Sequence, residues 1–132
     1  MARMLFDELG SLQRAVMNVL WEKDQATVAQ VRQTLGGSKI PAYTTVLTVL
    51  QKLEKKGWVR HRAEGRTYIY SAKPSRQTEG TKSLKGYVDR VFQGNPLLLF
   101  EHLMDDERID NQTLNALKKM IDDKHKERSK HA

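Results

Sequence analysis

Thr44, Thr48, Gln51, Lys52 and Lys55 follow one another at intervals of four, three, one and three residues. On a helix of about 3.6 residues per turn this spacing gathers them on one side. That side carries hydroxyls and a carboxamide in its N-terminal half and ammonium groups in its C-terminal half. A threonine hydroxyl can hydrogen-bond a base edge or a phosphate, its methyl can touch the thymine methyl, and glutamine offers adenine both a donor and an acceptor. The pattern therefore points to DNA reading, with Thr44, Thr48 and Gln51 on base edges and Lys52 and Lys55 beside the backbone. Thr45 falls at the flank of this face, nearer the core boundary, and is expected to contact phosphate or to pack.

Arg60 and Arg62 alternate a few residues later, and Arg66 follows a glycine. On a hairpin these guanidiniums could straddle a phosphate backbone or enter a minor groove. Each feature has a plainer explanation when taken alone. A polar outer face is the default for a surface helix, and arginines on an edge strand discourage sheet aggregation. Threonine is nevertheless a mediocre helix former, so three of them at 44, 45 and 48 need a reason. Base reading supplies one.

The elements that hold these residues can be read from periodicity. Leu12, Val16, Val19 and Leu20 form one stripe on a first helix starting near Ser11 and ending near Trp21. Thr27 precedes Gln30 by three residues, a capping box for a second helix with Val28, Val31 and Leu35 inward, which stops at Gly36-Gly37. Pro41 suits the first turn of a third helix, whose apolar positions Val46, Val49, Leu50 and Leu53 lie opposite the threonine face and which ends on Lys55-Lys56-Gly57. Branched and aromatic residues then flank Ala63-Glu-Gly-Arg66, which predicts a β-hairpin. Three helices followed by a hairpin is the winged helix-turn-helix order.

Between these elements, Trp21 and Trp58 are expected to anchor the core. His61, on the strand face opposite the arginines, is expected to pack, since nothing nearby in sequence offers it a partner. Tyr68 and Tyr70 share one strand face, where burial against the helices is favoured over base stacking.

From Lys73 the chain is helical again, with Tyr87, Val88, Val91 and Phe92 on one stripe. A dense apolar segment after Pro96 contains Leu97, Leu98, Phe100 and Leu103, and Leu114, Leu117 and Ile121 follow Asp110, a residue type suited to cap a helix. Three helices of this length cannot bury all those faces alone, and a second copy of the chain is the simplest cover. The expected organisation is a winged helix-turn-helix over residues 1–72 and a three-helix dimerisation region over 73–132, mainly α with a small hairpin, with Lys126 to Ala132 frayed.

Composition narrows the chemistry further. There is no cysteine among the 132 residues, which removes disulfides, thiolate catalysis and cysteine metal sites together. Histidines 61, 102, 125 and 131 match no zinc spacing, and no metal or other cofactor is expected. Gly36-Gly-Ser-Lys39 only faintly resembles a phosphate loop, Asp105-Asp-Glu107 looks like a cap and turn, and no enzyme signature is found. The longest apolar run, Pro96 to Phe100, is far too short to cross a bilayer, and the N-terminus lacks a signal-peptide core, so a cytoplasmic protein is expected. Residues 1–83 hold 14 Lys+Arg against 7 Asp+Glu, whereas residues 84–132 hold 9 against 9. The whole net charge of +7 therefore sits in the part that carries the threonine face, as a polyanion-binding surface requires.

Leu12 to Trp21, Ala42 to Gly57 and Glu64 to Tyr70 together resemble the penicillinase repressor family of winged-helix transcriptional repressors. The resemblance implies a homodimer that binds inverted-repeat operators through its N-terminal domain and intertwines through its C-terminal helices. It also implies a membrane-bound sensor protease as a partner, which clips the repressor within the dimerisation region. The family's clip falls at an Asn-Phe bond, and by register that place here is His102-Leu103. DNA binding and dimerisation carry over, and the inducing signal stays open. A copper-responsive branch relies on cysteines that this chain lacks. Two other readings use the same residues: a winged-helix module for protein partners, and an RNA binder with Tyr68 and Tyr70 as a stacking platform.

Overall fold

The structure, a computed structural model, describes residues 4–37 and 40–131, so Ser38 and Lys39 of the Gly-Gly-Ser-Lys segment, residues 1–3 and Ala132 lie outside the described residues. The order of elements is α1 (Ser11–Lys23), β1 (Gln25–Ala26), α2 (Val28–Leu35), α3 (Tyr43–Lys55), β2 (Val59–Glu64), β3 (Thr67–Ala72), α4 (Arg76–Val91), α5 (Pro96–Leu103) and α6 (Asn111–Lys130). Helices α1 to α3 with the strands form a winged helix-turn-helix, and three further helices follow. The chain divides into two compact units, Met1–Gly86 and Tyr87–Ala132.

The first unit is built around apolar faces that the periodicity predicts. Val16, Val19 and Leu20 of α1, Val28 and Val31 of α2, and Val46, Leu50 and Leu53 of α3 are buried. Met17 joins them and is fully enclosed, while Leu12 and Val49 are only half-buried, so α1 presents a broader stripe than its leucines and valines mark. Trp58 is fully buried and Trp21 half-buried, with the Phe6 ring 5.2 Å from Trp21 and 6.3 Å from Trp58. The Trp21 indole N–H donates to the Pro74 carbonyl at 2.9 Å, which ties the end of α1 to the entry of α4.

Helix ends are set by local chemistry. At α2, the Gln30 N–H donates to Thr27 Oγ1 at 3.2 Å and the Thr27 N–H to Gln30 Oε1 at 2.9 Å, the reciprocal capping box. Helix α3 begins at Tyr43 behind Ala42, which offers no side-chain cap. Pro41 therefore stands before the helix and not in its first turn, and its carbonyl accepts from Arg32 Nε at 2.7 Å. That bond fixes how the chain enters α3 from α2.

At the other end of α3, Gly57 takes φ +86°. The Trp58 N–H donates to Leu53 O at 2.9 Å and the Gly57 N–H to Glu54 O at 3.0 Å, the two bonds of a Schellman turn. The turn drives Trp58 into the core and sends β2 back along the helix.

Strands β2 and β3 pair antiparallel from Val59↔Ala72 to Glu64↔Thr67, closed by Gly65-Arg66 with Gly65 at φ +62°. Sequence periodicity does not reveal β1, a two-residue strand that adds to β3 through Gln25↔Ser71 and Ala26↔Tyr70, giving the order β1-β3-β2.

In the second unit, Asn95 caps α5 by accepting from the Leu97 N–H at 3.0 Å, and Asp110 caps α6 by accepting from the Thr113 N–H at 2.8 Å. The Asp105–Glu107 segment is a turn in which Asp106 accepts from Arg108 Nε at 2.9 Å and Nη2 at 2.6 Å. That guanidinium holds the Asp106 carboxyl below the usual carboxylate range. Helix α6 continues to Lys130, so the expected fraying from Lys126 is not observed; Lys119–Asp123 at 2.9 Å and Lys124–Glu127 at 3.4 Å run along its surface. Among the described residues of this unit only Val88 is buried. No helix among the described residues is long and apolar enough to cross a membrane.

Replacing Gly57 by alanine should cost about 1–2 kcal/mol in urea unfolding, because a side chain resists the left-handed conformation. Hydrogen bonding from Thr113, chiefly its N–H, lowers the pKa of Asp110. The cap's contribution is complete above the ordinary aspartate value near about 4 and is lost as pH falls through the lowered folded value. Far-ultraviolet circular dichroism of α6 should weaken with acid over that window in the wild type and not in Asp110→Asn.

Candidate nucleic-acid interface

Burial of Val46, Leu50 and Leu53 turns the opposite side of α3 outward, so Thr44, Thr48, Gln51, Lys52 and Lys55 are all exposed on it. Thr45 is exposed as well and does not sit at the core boundary, which removes packing as its role. The Thr48 hydroxyl donates its hydrogen to the Thr44 carbonyl at 2.8 Å. Thr48 thus offers a partner its oxygen lone pairs and its methyl, an acceptor beside an apolar contact. Thr44 carries no such restraint among the described hydrogen bonds, and Gln51 can present both ends of its amide.

The hairpin distributes its arginines unequally. Strand alternation turns Val59 and His61 of β2 toward the helices and Arg60 and Arg62 away from them. Arg60 and Arg62 line an outer hollow with Gln25, Ile69 and Ser71, and Arg62 is engaged there by Glu64 at 2.9 Å and Gln25 at 3.4 Å. Arg66, in the turn, goes elsewhere. It lines a cleft of about 520 Å³ with Gln51, Tyr43, Leu47, Thr67 and Tyr68, floored by Thr27, Val28 and Ala29 at the start of α2. Of the sequence-predicted residues, the structure joins Gln51 and Arg66 in one cleft and puts Arg60 and Arg62 on another face.

The cleft also contains Tyr43, which the sequence did not single out, and Tyr68, which is exposed where burial against the helices is expected. Tyr43 and Tyr68 are each about half-exposed, at 52% and 49%, and present phenol groups between helix and wing. Tyr68 belongs here, but Tyr70 does not: it is 2% exposed, and burial, then the nearby Glu54 carboxylate, pushes its hydroxyl pKa up. The two tyrosines cannot form a stacking platform together.

His61 also departs from expectation. It has a partner after all, Glu54 of α3, whose Oε1 lies 2.5 Å from Nδ1, and its ring sits 4.4 Å from that of Tyr68. Glu54 was invisible as a partner because helix and strand meet only once Gly57 has reversed the chain.

The remaining candidates lie in the second unit. His102 and Leu103 occupy the last turn of α5, both exposed, with His102 Nδ1 2.8 Å from the Leu98 carbonyl and its ring 5.0 Å from Phe92. Tyr87, Val91, Leu97, Phe100, Leu103, Leu114 and Ile121 are exposed, whereas Phe92, Leu98 and Leu117 are half-buried and Val88 is buried. Among the described residues there is no group of three or more metal-ligating side chains.

The penicillinase repressor family model matches residues 9–123. The chain belongs to the penicillinase repressor family. A transcriptional regulator BlaI of Mycobacterium tuberculosis is 45% identical over 64 residues, covering 48% of this chain and 46% of that protein, so the chain spans about half the length of this relative. A penicillinase repressor of Bacillus licheniformis is 21% identical over 123 residues, 93% of this chain and 95% of its own. Among solved structures, reduced AbfR bound to DNA is similar in fold, with a TM-score of 0.51, 21% identity, and 84% of this chain and 75% of that one covered.

Family membership does not distinguish the arginines, but their surroundings differ: Arg66 lines the cleft beside α3, whereas Arg62 is engaged by Glu64 and Gln25. Arg66→Ala should weaken binding to random-sequence duplex DNA and lower the slope of log affinity against log salt by about 1. Arg62→Ala, whose guanidinium is already engaged, should change the slope by less than half as much; filter binding across a salt series measures both.

Proposed function

We propose that this member of the penicillinase repressor family is a homodimeric transcriptional repressor that binds inverted-repeat operator DNA. The observation that carries the reading is the exposed row of Thr44, Thr48 and Gln51 on a helix whose opposite side is locked in the core, with Gln51 at the end of the row sharing an open cleft with Arg66. A helix of this kind fits the major groove, where small side chains let the backbone approach the base edges. In this account Thr44, Thr48 and Gln51 read bases, Thr45, Lys52 and Lys55 meet the flanking phosphates, and Arg66 holds the backbone from the wing. Arg60 and Arg62 contribute mainly to the field that attracts the polyanion.

Dimerisation is proposed from the second unit. Leu97 is 62% exposed, Ile121 56% and Val91 51%, and side chains of this type at such exposure call for a covering surface. A second copy supplies one and places two α3 helices on half-sites one turn or a multiple of it apart, about 10 bp. Release by a membrane-bound sensor protease is the route the family implies, yet a protease selective for Asn-Phe would meet His102-Leu103 here.

An RNA-binding role loses its basis once Tyr70 is buried. A purely protein-binding module would leave the outward threonines and the concentration of positive charge in residues 1–83 without a purpose.

Selection from random duplex DNA tests the reading. The full chain should recover an inverted repeat bound by two chains, and Gln51→Ala should shift the preferred base at one symmetric position at a cost of about 1–3 kcal/mol. Recovery of no repeat, or of a site occupied by one chain, would count against it.

A further inference from the structure

Glu54 presents a puzzle on a DNA-facing helix. It follows Gln51 by three residues, and a free carboxylate there would repel the phosphates that Lys52, Lys55 and Arg66 attract. The structure removes that difficulty by engaging it. His61 Nδ1 of β2 donates to Glu54 Oε1 at 2.5 Å, with the two side chains 32% and 36% exposed. The His61 ring is in turn packed against Tyr68 at 4.4 Å and Tyr70 at 5.5 Å between centroids.

Exposed side-chain pairs contribute little to stability as a rule. This one differs in what it connects. Glu54 belongs to α3, His61 to β2, and Tyr68 to β3, so the three side chains form a continuous path from the helix through the hairpin to the cleft that Gln51 and Arg66 share. Two aromatic neighbours limit the rotation of the imidazole, and the Glu54 hydrogen bond fixes its height above the helix. The half-exposed Tyr68 ring lies on the imidazole with its edge in the cleft.

We infer that the Glu54–His61 hydrogen bond is a clamp that sets the gap between helix and wing, and that Tyr68, seated on His61, is a further DNA-binding residue whose hydroxyl donates to a backbone phosphate. Glu54 and His61 are positioning residues that touch no nucleic acid. The inference rests on the operator-binding reading and adds to it the device that spaces its two halves. It also explains why a glutamate is tolerated beside the basic face.

The experiment uses the full chain and the duplex recovered by selection, with binding measured against salt for wild type, His61→Ala, His61→Asn, Glu54→Ala, the His61→Ala/Glu54→Ala pair and Tyr68→Phe. His61→Ala should weaken the selected duplex about three- to tenfold and random duplex by no more than Tyr68→Phe does, with an unchanged salt slope. The same substitution in a Glu54→Ala background should cost less than about twofold, because the clamp is already open. Asparagine, whose side-chain amide can replace the Nδ1 donor, should recover part of the loss, and Tyr68→Phe should weaken all duplexes about threefold. Thermal unfolding of each variant separates loss of fold from loss of spacing, and His61→Asn carries the test if the alanine variant unfolds. Wild-type affinity in His61→Ala, or losses that simply multiply in the pair, would overturn the inference while leaving the operator reading intact. A wild type that prefers no duplex would overturn both.

Discussion

Everything that faces outward on α3 depends on the left-handed turn at Gly57. The helix must stop after Lys55, the chain must reverse, and Trp58 must enter the core within one residue. The Schellman bonds from Trp58 to Leu53 and from Gly57 to Glu54 accomplish this with no side chain in the way. Trp58 then sits fully buried, Val59 follows it inward, and the hairpin is obliged to lie beside the helix it has just left. The cleft between Gln51 and Arg66, and the meeting of Glu54 with His61, are both consequences of that reversal.

The same reversal explains how α3 tolerates its composition. Thr44, Thr45 and Thr48 weaken helix propensity by a few tenths of a kcal/mol each, and Ala42 provides no cap. Burial of Val46, Leu50 and Leu53 outweighs this, since each apolar side chain of that size contributes about 1.5–3 kcal/mol on leaving water. The inward side holds the helix, which frees the outward side to be chosen for chemistry. Thr48 shows the limit of that freedom: part of its hydrogen-bonding capacity goes back to the Thr44 carbonyl.

Much of this was legible from residue order. The stripes on α1 to α3, the Thr27–Gln30 box, the glycines at 36, 57 and 65, and the Asp110 cap each have a local cause, so the winged-helix order and the threonine face followed from spacing. What escaped depends on elements meeting in space. Strand β1 is two residues long and exists only because β3 offers it an edge. The face on which Arg60 and Arg62 lie was readable as shared, but not that it points away from α3. His61 lacked a visible partner because Glu54 lies seven positions earlier on a different element. Pro41 looked like a helix residue, yet its carbonyl is committed to Arg32 outside the helix.

Operator binding of the proposed kind requires α3 and the wing tip to act as one surface, with β2's outer arginines off it. Nuclear magnetic resonance of the full chain titrated with the selected duplex tests this most directly, using backbone amides along α3, Tyr68 and the Nε–Hε signals of the arginines. The largest changes should fall on Thr44, Thr48, Gln51, Tyr68 and the Arg66 side chain, with the side chains of Arg60 and Arg62 moving little. Changes centred on Arg60, Arg62 and Ile69, with Thr44 to Gln51 silent, would contradict it.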